Sequence, residues 1–122
     1  MGSAASPRKV LFVEDESALR STYQRFFASR YELAFATSGT EALRLLEDFQ
    51  PDVLVLDMRL PDTDGVTVLQ QVRVSRPRLP VIVTTAYVSM EPLISVLDLG
   101  HSGYLVKPFS MDDLAARIDA AG

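Results

Sequence analysis

The chain has no cysteine and a single histidine among its 122 residues. Without thiols there is no disulfide framework, no thiolate metal site and no thiol nucleophile, and one imidazole excludes three-histidine zinc centres. The chemistry left open is that of carboxylate, hydroxyl and amine groups. Positive charge is also scarce, with 12 Lys and Arg against 16 Asp and Glu for a net charge of -4. That is the wrong sign for a protein that lies along a phosphate backbone, so no direct nucleic-acid partner is expected. The longest apolar runs fall far short of the ~20 residues of a membrane span, and the amino terminus lacks the apolar stretch of a secretion signal. The expectation is a cytoplasmic protein without membrane association.

What is present is the composition of one folded domain, 48% hydrophobic and 23% charged residues in a length that leaves no room for a second domain. The first residues, Met1 to Pro7, are small and polar, and residues 1–8 are read as a flexible N-terminal segment ahead of a domain over 9–122. Four short runs are continuously apolar: Val10-Leu11-Phe12-Val13, Val53-Leu54-Val55-Leu56, Val81-Ile82-Val83 and Tyr104-Leu105-Val106. Such runs are strands covered on both faces, the mark of a parallel sheet under helices. Tyr31 to Ala36 alternates large and small residues instead and is placed at a sheet edge. Helical spacing links the strands: Leu19, Tyr23, Phe26 and Phe27 share one face, and Ala42, Leu45, Leu46 and Phe49 another. Ser38 with Glu41 and Ser110 with Asp113 have capping-box spacing, and Pro51 ends the second helix. A third helix starts near Asp64 with Val68, Leu69 and Val72 inward, and a fourth runs from about Met90 to Leu99 behind a Ser89 cap, with Pro92 in its first turn and Gly100 as its stop. Strand then helix, five times over, with right-handed crossovers, gives a doubly wound (βα)5 α/β sandwich.

In such sheets the working site lies beyond the carboxyl ends of the strands, where the strand order reverses. Glu14 and Asp15 follow the first run, Asp57 the third, Thr84 and Thr85 the fourth, and Lys107-Pro108 the last. Loop ends are polar in any protein, so each residue alone carries little; their convergence carries more. Three carboxylates at 4 Å repel by ~4 kcal/mol per pair at an effective dielectric of 20, for which a divalent cation is the natural compensation. All-oxygen ligation favours Mg2+ or Mn2+. Lys107 then offers a point charge and Thr85 a hydroxyl, both suited to a phosphoryl group.

These residues resemble the CheY-like receiver domain of bacterial two-component response regulators. The resemblance runs from about Lys9 to Ala120 through Leu11-Phe12-Val13-Glu14-Asp15-Glu16, Leu56-Asp57-Met58-Arg59-Leu60-Pro61-Asp62-Thr63-Asp64-Gly65, Thr85-Ala86 and Gly103-Tyr104-Leu105-Val106-Lys107-Pro108-Phe109. It implies a flavodoxin-like five-stranded parallel sheet of order 2-1-3-4-5. It also implies a phosphorelay switch rather than an enzyme with a diffusible substrate. In that pattern Asp57 accepts a phosphoryl group from a phosphohistidine of a sensor histidine kinase or histidine phosphotransfer domain. Mg2+ would be held by Asp15, Asp57 and the backbone carbonyl of Arg59, with Glu14 in the second acidic position, reaching the metal through water. Lys107 and Thr85 would contact the phosphoryl oxygens, and Tyr104 would follow Thr85, switching the surface of the fourth helix, fifth strand and last helix, which is also the face through which a homodimer would form. The resemblance makes a cis Lys107-Pro108 bond the expectation.

Several residues keep ordinary readings beside these. Tyr104 by itself reads as a partly buried aromatic, Asp62 and Asp64 as loop and cap residues with neither assigned to the metal, and His101 as part of the Gly100 turn. Leu93, Ile94, Val96 and Leu97 make the fourth helix apolar on more than one side. The sequence departs from the family pattern where Glu14 replaces the commoner Asp, and where Val96 and His101 stand in place of a small Ala. Arg59 and Tyr87, each two residues after a site residue, fall where the family tunes the access of hydrolytic water. Such domains are found alone or joined to output domains, and both remain open. Other chemistries fit less well. An aspartyl-nucleophile phosphatase commonly has a second Asp two residues on, where this chain has Arg59. A calcium loop with Gly65 as its glycine would begin at Leu60 and end at Gln71. A nucleotide or flavin carrier needs a phosphate cradle after the first strand, where acids stand instead.

Overall fold

In the computed structural model, residues 7–86, 100, 101 and 103–121 are described. Their elements are β1 (Lys9–Val13), α1 (Ser17–Phe27), β2 (Glu32–Ala36), α2 (Gly39–Phe49), β3 (Val53–Asp57), α3 (Gly65–Ser75), β4 (Val81–Thr85), β5 (Gly103–Val106) and α4 (Met111–Ala120). The helix expected over 90–99, its Ser89 cap and Tyr87 lie outside the described residues. All strand pairs are parallel, in the order β2-β1-β3-β4-β5, with β2 at the edge as its mixed pattern requires.

Each apolar run divides by the period of two that a strand imposes. Leu11 and Val13 of β1 join Leu54, Leu56, Val81 and Val83 on one face, which is closed by Ala42 and Leu46 of α2 and by Val68, Leu69 and Val72 of α3. Val10 and Phe12 join Val53, Val55 and Ile82 on the other, closed by Tyr23 and Phe27 of α1 and by Leu114, Ala115 and Ile118 of α4. The Phe12 and Tyr23 rings stack there with centroids 4.5 Å apart. Burial of both faces explains why the runs are unbroken in sequence.

The caps act much as their spacing predicts, with one difference. The Ser38 hydroxyl accepts from Glu41 N, that of Ser110 from Asp113 N, and the Asp64 carboxylate from Thr67 N. The Glu41 carboxylate, however, turns back one residue further than a capping box requires and accepts from Thr37 N and Oγ1. Helix α2 ends at Gln50, whose φ of 52° is left-handed, directly before Pro51. Arg8, placed by its sequence in the flexible segment, is already tied to the sheet and to the last turn: its carbonyl accepts from Glu32 N and its guanidinium donates to Ala121 O at 2.6 Å.

Candidate functional site

The register that pairs β1 with β3 ends at Val13 and Leu56. One step further along the same alternation stand Glu14 and Asp57, on the side of the sheet that Phe12 and Val55 occupy. Lys107 enters that space from the end of β5, its amide donating to Thr85 O at 2.7 Å. The ammonium meets both acids, at 2.9 Å from Glu14 Oε1 and 3.0 Å from Asp57 Oδ2. The peptide bond that follows, Lys107-Pro108, is cis.

The acids are buried to different degrees. Glu14 is 1% and Asp57 4% exposed, whereas Asp15 is exposed. Each buried carboxylate has its second oxygen occupied by backbone: Glu16 N donates to Glu14 Oε2 at 3.2 Å and Arg59 N to Asp57 Oδ1 at 3.0 Å. Arg20, one turn into α1, donates to the Glu14 carbonyl at 3.0 Å. Burial pushes the Glu14 carboxyl up to about 7, the pull of Lys107 only partly opposing it and the charge of Asp57 adding to it. For Lys107 burial acts downward, but its hydrogen bonds to Glu14 and Asp57 outweigh that and hold the ammonium above its ordinary value.

Glu14, Asp15 and Asp57 each bring a carboxylate oxygen to within 4.8 Å of the others. They line a cavity of about 420 Å³ together with Arg59, Ala86 and Lys107. The lining sets the acids Glu14, Asp15, Glu16 and Asp57 against Lys107 and Arg59, and the donors of the Glu14, Asp15 and Asp57 group are hard oxygens, so that group fits a small divalent cation such as Mg2+. Thr85 and Tyr104, also expected at the site, are not among the residues that line this cavity. Thr85 is buried at the end of β4, and Tyr104 of β5 is half-buried with its ring centroid 5.9 Å from that of His101. The backbone at Arg59 forms a bridge with Asp64 across the loop that follows β3.

Two contacts were not foreseen from the sequence. Arg20 supports the acidic loop, which its place on the first turn after the acids could have indicated. Asp62 holds the start of α2 rather than a helix of its own, and nothing local announces that.

Comparison with known proteins gives the family. Residues 10–119 match the family model described as the response regulator receiver domain. The chain is 37% identical to the regulatory protein AtoC of Escherichia coli (strain K12), over 93% of its own length and 25% of that protein's. It is 38% identical to the response regulator MprA of Mycobacterium leprae (strain TN), over 92% of its own length and 50% of the relative's. The chain thus spans half or less of these curated relatives. Among solved structures, a CheY-like response regulator receiver domain protein from Methanospirillum hungatei JF-1 superposes with a TM-score of 0.83 at 31% identity, covering 93% of this chain and 92% of that one. The receiver domain of the Francisella response regulator 1452 gives 0.82 at 34% identity, over 92% and 93%. The chain belongs to the response regulator receiver domains, the signalling domains of two-component systems.

Proposed function

We propose that Asp57 is the phosphoacceptor of this receiver and that residues 9–122 act as one switch domain. The observation that carries this is the position of the Asp57 carboxylate, buried at a strand end, with one oxygen on Lys107 and Asp15 and Glu14 beside it. In the reaction an Asp57 oxygen attacks the phosphorus of a phosphohistidine. The oxygen–phosphorus bond forms, the nitrogen–phosphorus bond breaks, and the freed imidazole takes a proton. Mg2+, held by Asp15, Asp57 and the Arg59 carbonyl with Glu14 in the outer position, would neutralise charge on the phosphoryl oxygens. Lys107 gives those oxygens a fixed positive partner, and the Thr85 hydroxyl a donor on the far side. Its movement toward them draws Tyr104 and so changes the surface to which β5 and α4 belong. A partner or a second copy of the chain would read that change. The donor is a sensor histidine kinase or a histidine phosphotransfer domain, and the place of action the cytoplasm. Among the described residues no helix is long and apolar enough to cross a membrane.

The test is intact-mass spectrometry after incubation with a small acyl phosphate, with and without Mg2+, on the wild type and on Asp57→Asn. One added phosphoryl group that requires both Mg2+ and Asp57 supports the reading. Labelling that survives Asp57→Asn, or proceeds fully in chelator, would sink it.

A further inference from the structure

Asp62 lies in the exposed loop between β3 and α3 and does not line the acidic cavity. Its carboxylate instead spans to the amino terminus of α2. Oδ1 accepts from Gly39 N at 2.8 Å, and Oδ2 from Thr40 N at 3.0 Å and Thr40 Oγ1 at 2.9 Å. These donors hold the carboxyl below its ordinary range, the Gly39 amide first among them. The two elements are in close contact as well as hydrogen-bonded. A Cβ at Gly39 would stand 2.4 Å from Thr63 Cγ2 and 3.4 Å from Asp62 Oδ1, so a side chain there would have to displace that of Thr63.

This arrangement does more than cap a helix. Helix α2 already has its own cap in Ser38, whose hydroxyl takes Glu41 N and whose carbonyl takes Ala42 N. The Ser38 hydroxyl serves only the third amide, and the first two, on buried Gly39 and exposed Thr40, go to Asp62. What Asp62 adds is a connection between two elements, and the loop it holds is the one that carries Arg59. At its ends that loop is tied by Arg59 N on Asp57 Oδ1 at 3.0 Å, by the Arg59–Asp64 bridge and by Gly65 N on Met58 O at 2.8 Å. Its middle is held to α2 by Asp62.

We infer that Asp62 is a positioning residue for the metal and phosphoryl site: its clamp on Gly39 and Thr40 fixes the loop so that the Arg59 backbone faces Asp57 in the geometry a divalent cation needs. The inference rests on the receiver reading above and adds to it a residue remote from the reacting atoms. Linkage makes it reciprocal, because a cation that needs the fixed loop must in turn tighten the clamp.

The experiment compares wild type, Asp62→Ala, Asp62→Asn and Thr40→Val as full chains. Mg2+ affinity is measured by calorimetry, amide exchange at Gly39 and Thr40 by NMR with and without Mg2+, and thermal midpoints alongside. Asp62→Ala is expected to bind Mg2+ roughly three- to ten-fold more weakly. Asp62→Asn, which keeps one acceptor oxygen, should fall between it and the wild type, and Thr40→Val should shift less than either. Mg2+ should slow exchange at both amides in the wild type and leave it unchanged in Asp62→Ala. A variant that melts lower yet binds Mg2+ with wild-type affinity would show the clamp to be structural only and overturn the inference. So would wild-type amides indifferent to Mg2+. Failure of the receiver reading looks different: the wild type would bind no Mg2+, or Asp57→Asn would bind it equally well.

Discussion

Lys107→Met, studied without divalent cations, tests how the site is held together. The substitution keeps much of the side chain's volume and removes an ammonium that stands 2.9 and 3.0 Å from two buried carboxylates. At that distance and an effective dielectric of 20 each pair carries roughly 5 kcal/mol of gross attraction, and removing one partner of a buried pair costs ~3–5 kcal/mol net. The lysine side chain is 23% exposed at the cavity mouth, which favours the lower end of that range. The expected loss is therefore about 3 kcal/mol near neutral pH, or about 10 °C in Tm for a domain of this size. Its pH dependence follows from Glu14. The folded-state value of about 7 lies above the ordinary 4.5, so the stability gained from a neutral Glu14 is fully present below 4.5 and is lost as pH rises through 7. Without the ammonium the main opposition to burial is gone, and the loss grows. The deficit of Lys107→Met should thus be largest around pH 8, shrink toward about pH 5, and be recovered in good part by adding Glu14→Gln or by Mg2+. Urea unfolding across that range measures all of this. A variant within about 1 kcal/mol of wild type near pH 8 without cation, or a deficit that does not change with pH, would refute the reasoning.

Three further outcomes are expected elsewhere in the fold. The Tyr23 hydroxyl is buried and has no hydrogen-bond partner among the described residues, while its ring stacks on Phe12, so Tyr23→Phe should raise stability by about 1 kcal/mol; a loss of that size in denaturant unfolding would mean the hydroxyl is satisfied. Gly65→Ala would put a Cβ 2.6 Å from Met58 Cα and 2.8 Å from Asp57 O, contacts that only backbone movement can relieve, and should cost about 2 kcal/mol or more. An unchanged urea midpoint would show that the turn after Asp57 has slack. Burial, and then the hydrogen bond to Asp119, push Tyr31 up to about 12. Its contribution to stability is therefore intact below the ordinary pKa of 10 and is lost as pH rises through about 12. Ultraviolet titration of the phenolates, with Tyr31→Phe as reference, should find this group high and Asp119→Asn should bring it down; titration at the ordinary value would contradict both.

Much of this protein is legible along the chain because its signals are local. Unbroken runs such as Val53-Leu54-Val55-Leu56 mark strands covered on both faces, and the large-small alternation of Tyr31 to Ala36 marks the edge that β2 occupies. Spacings such as Ser38 to Glu41 and Asp64 to Thr67 place helix starts, since a cap needs only three residues of context. The acids, hydroxyl and amine at strand ends are equally visible, because parallel topology brings every carboxyl end to one side. The pairing among them is another matter. That Glu14 spends one oxygen on Lys107 and the other on Glu16 N depends on a side chain that returns from the far end of the chain. Tyr23 looks like any inward aromatic until the buried acids near its hydroxyl are in place.

Asp62 shows the same limit most plainly. In sequence it is a polar loop residue one position after a proline, indistinguishable from a solvated turn. Only the packing of α2 beside α3 brings the Gly39 and Thr40 amides to its two oxygens, across a gap that a single Cβ would close. Period, capping and charge are properties of neighbours in the chain, and so the sequence by itself determined which elements form and at which end of the sheet the chemistry lies. Which donor meets which acceptor is a matter of distances between elements remote in sequence, and only the tertiary structure decided that.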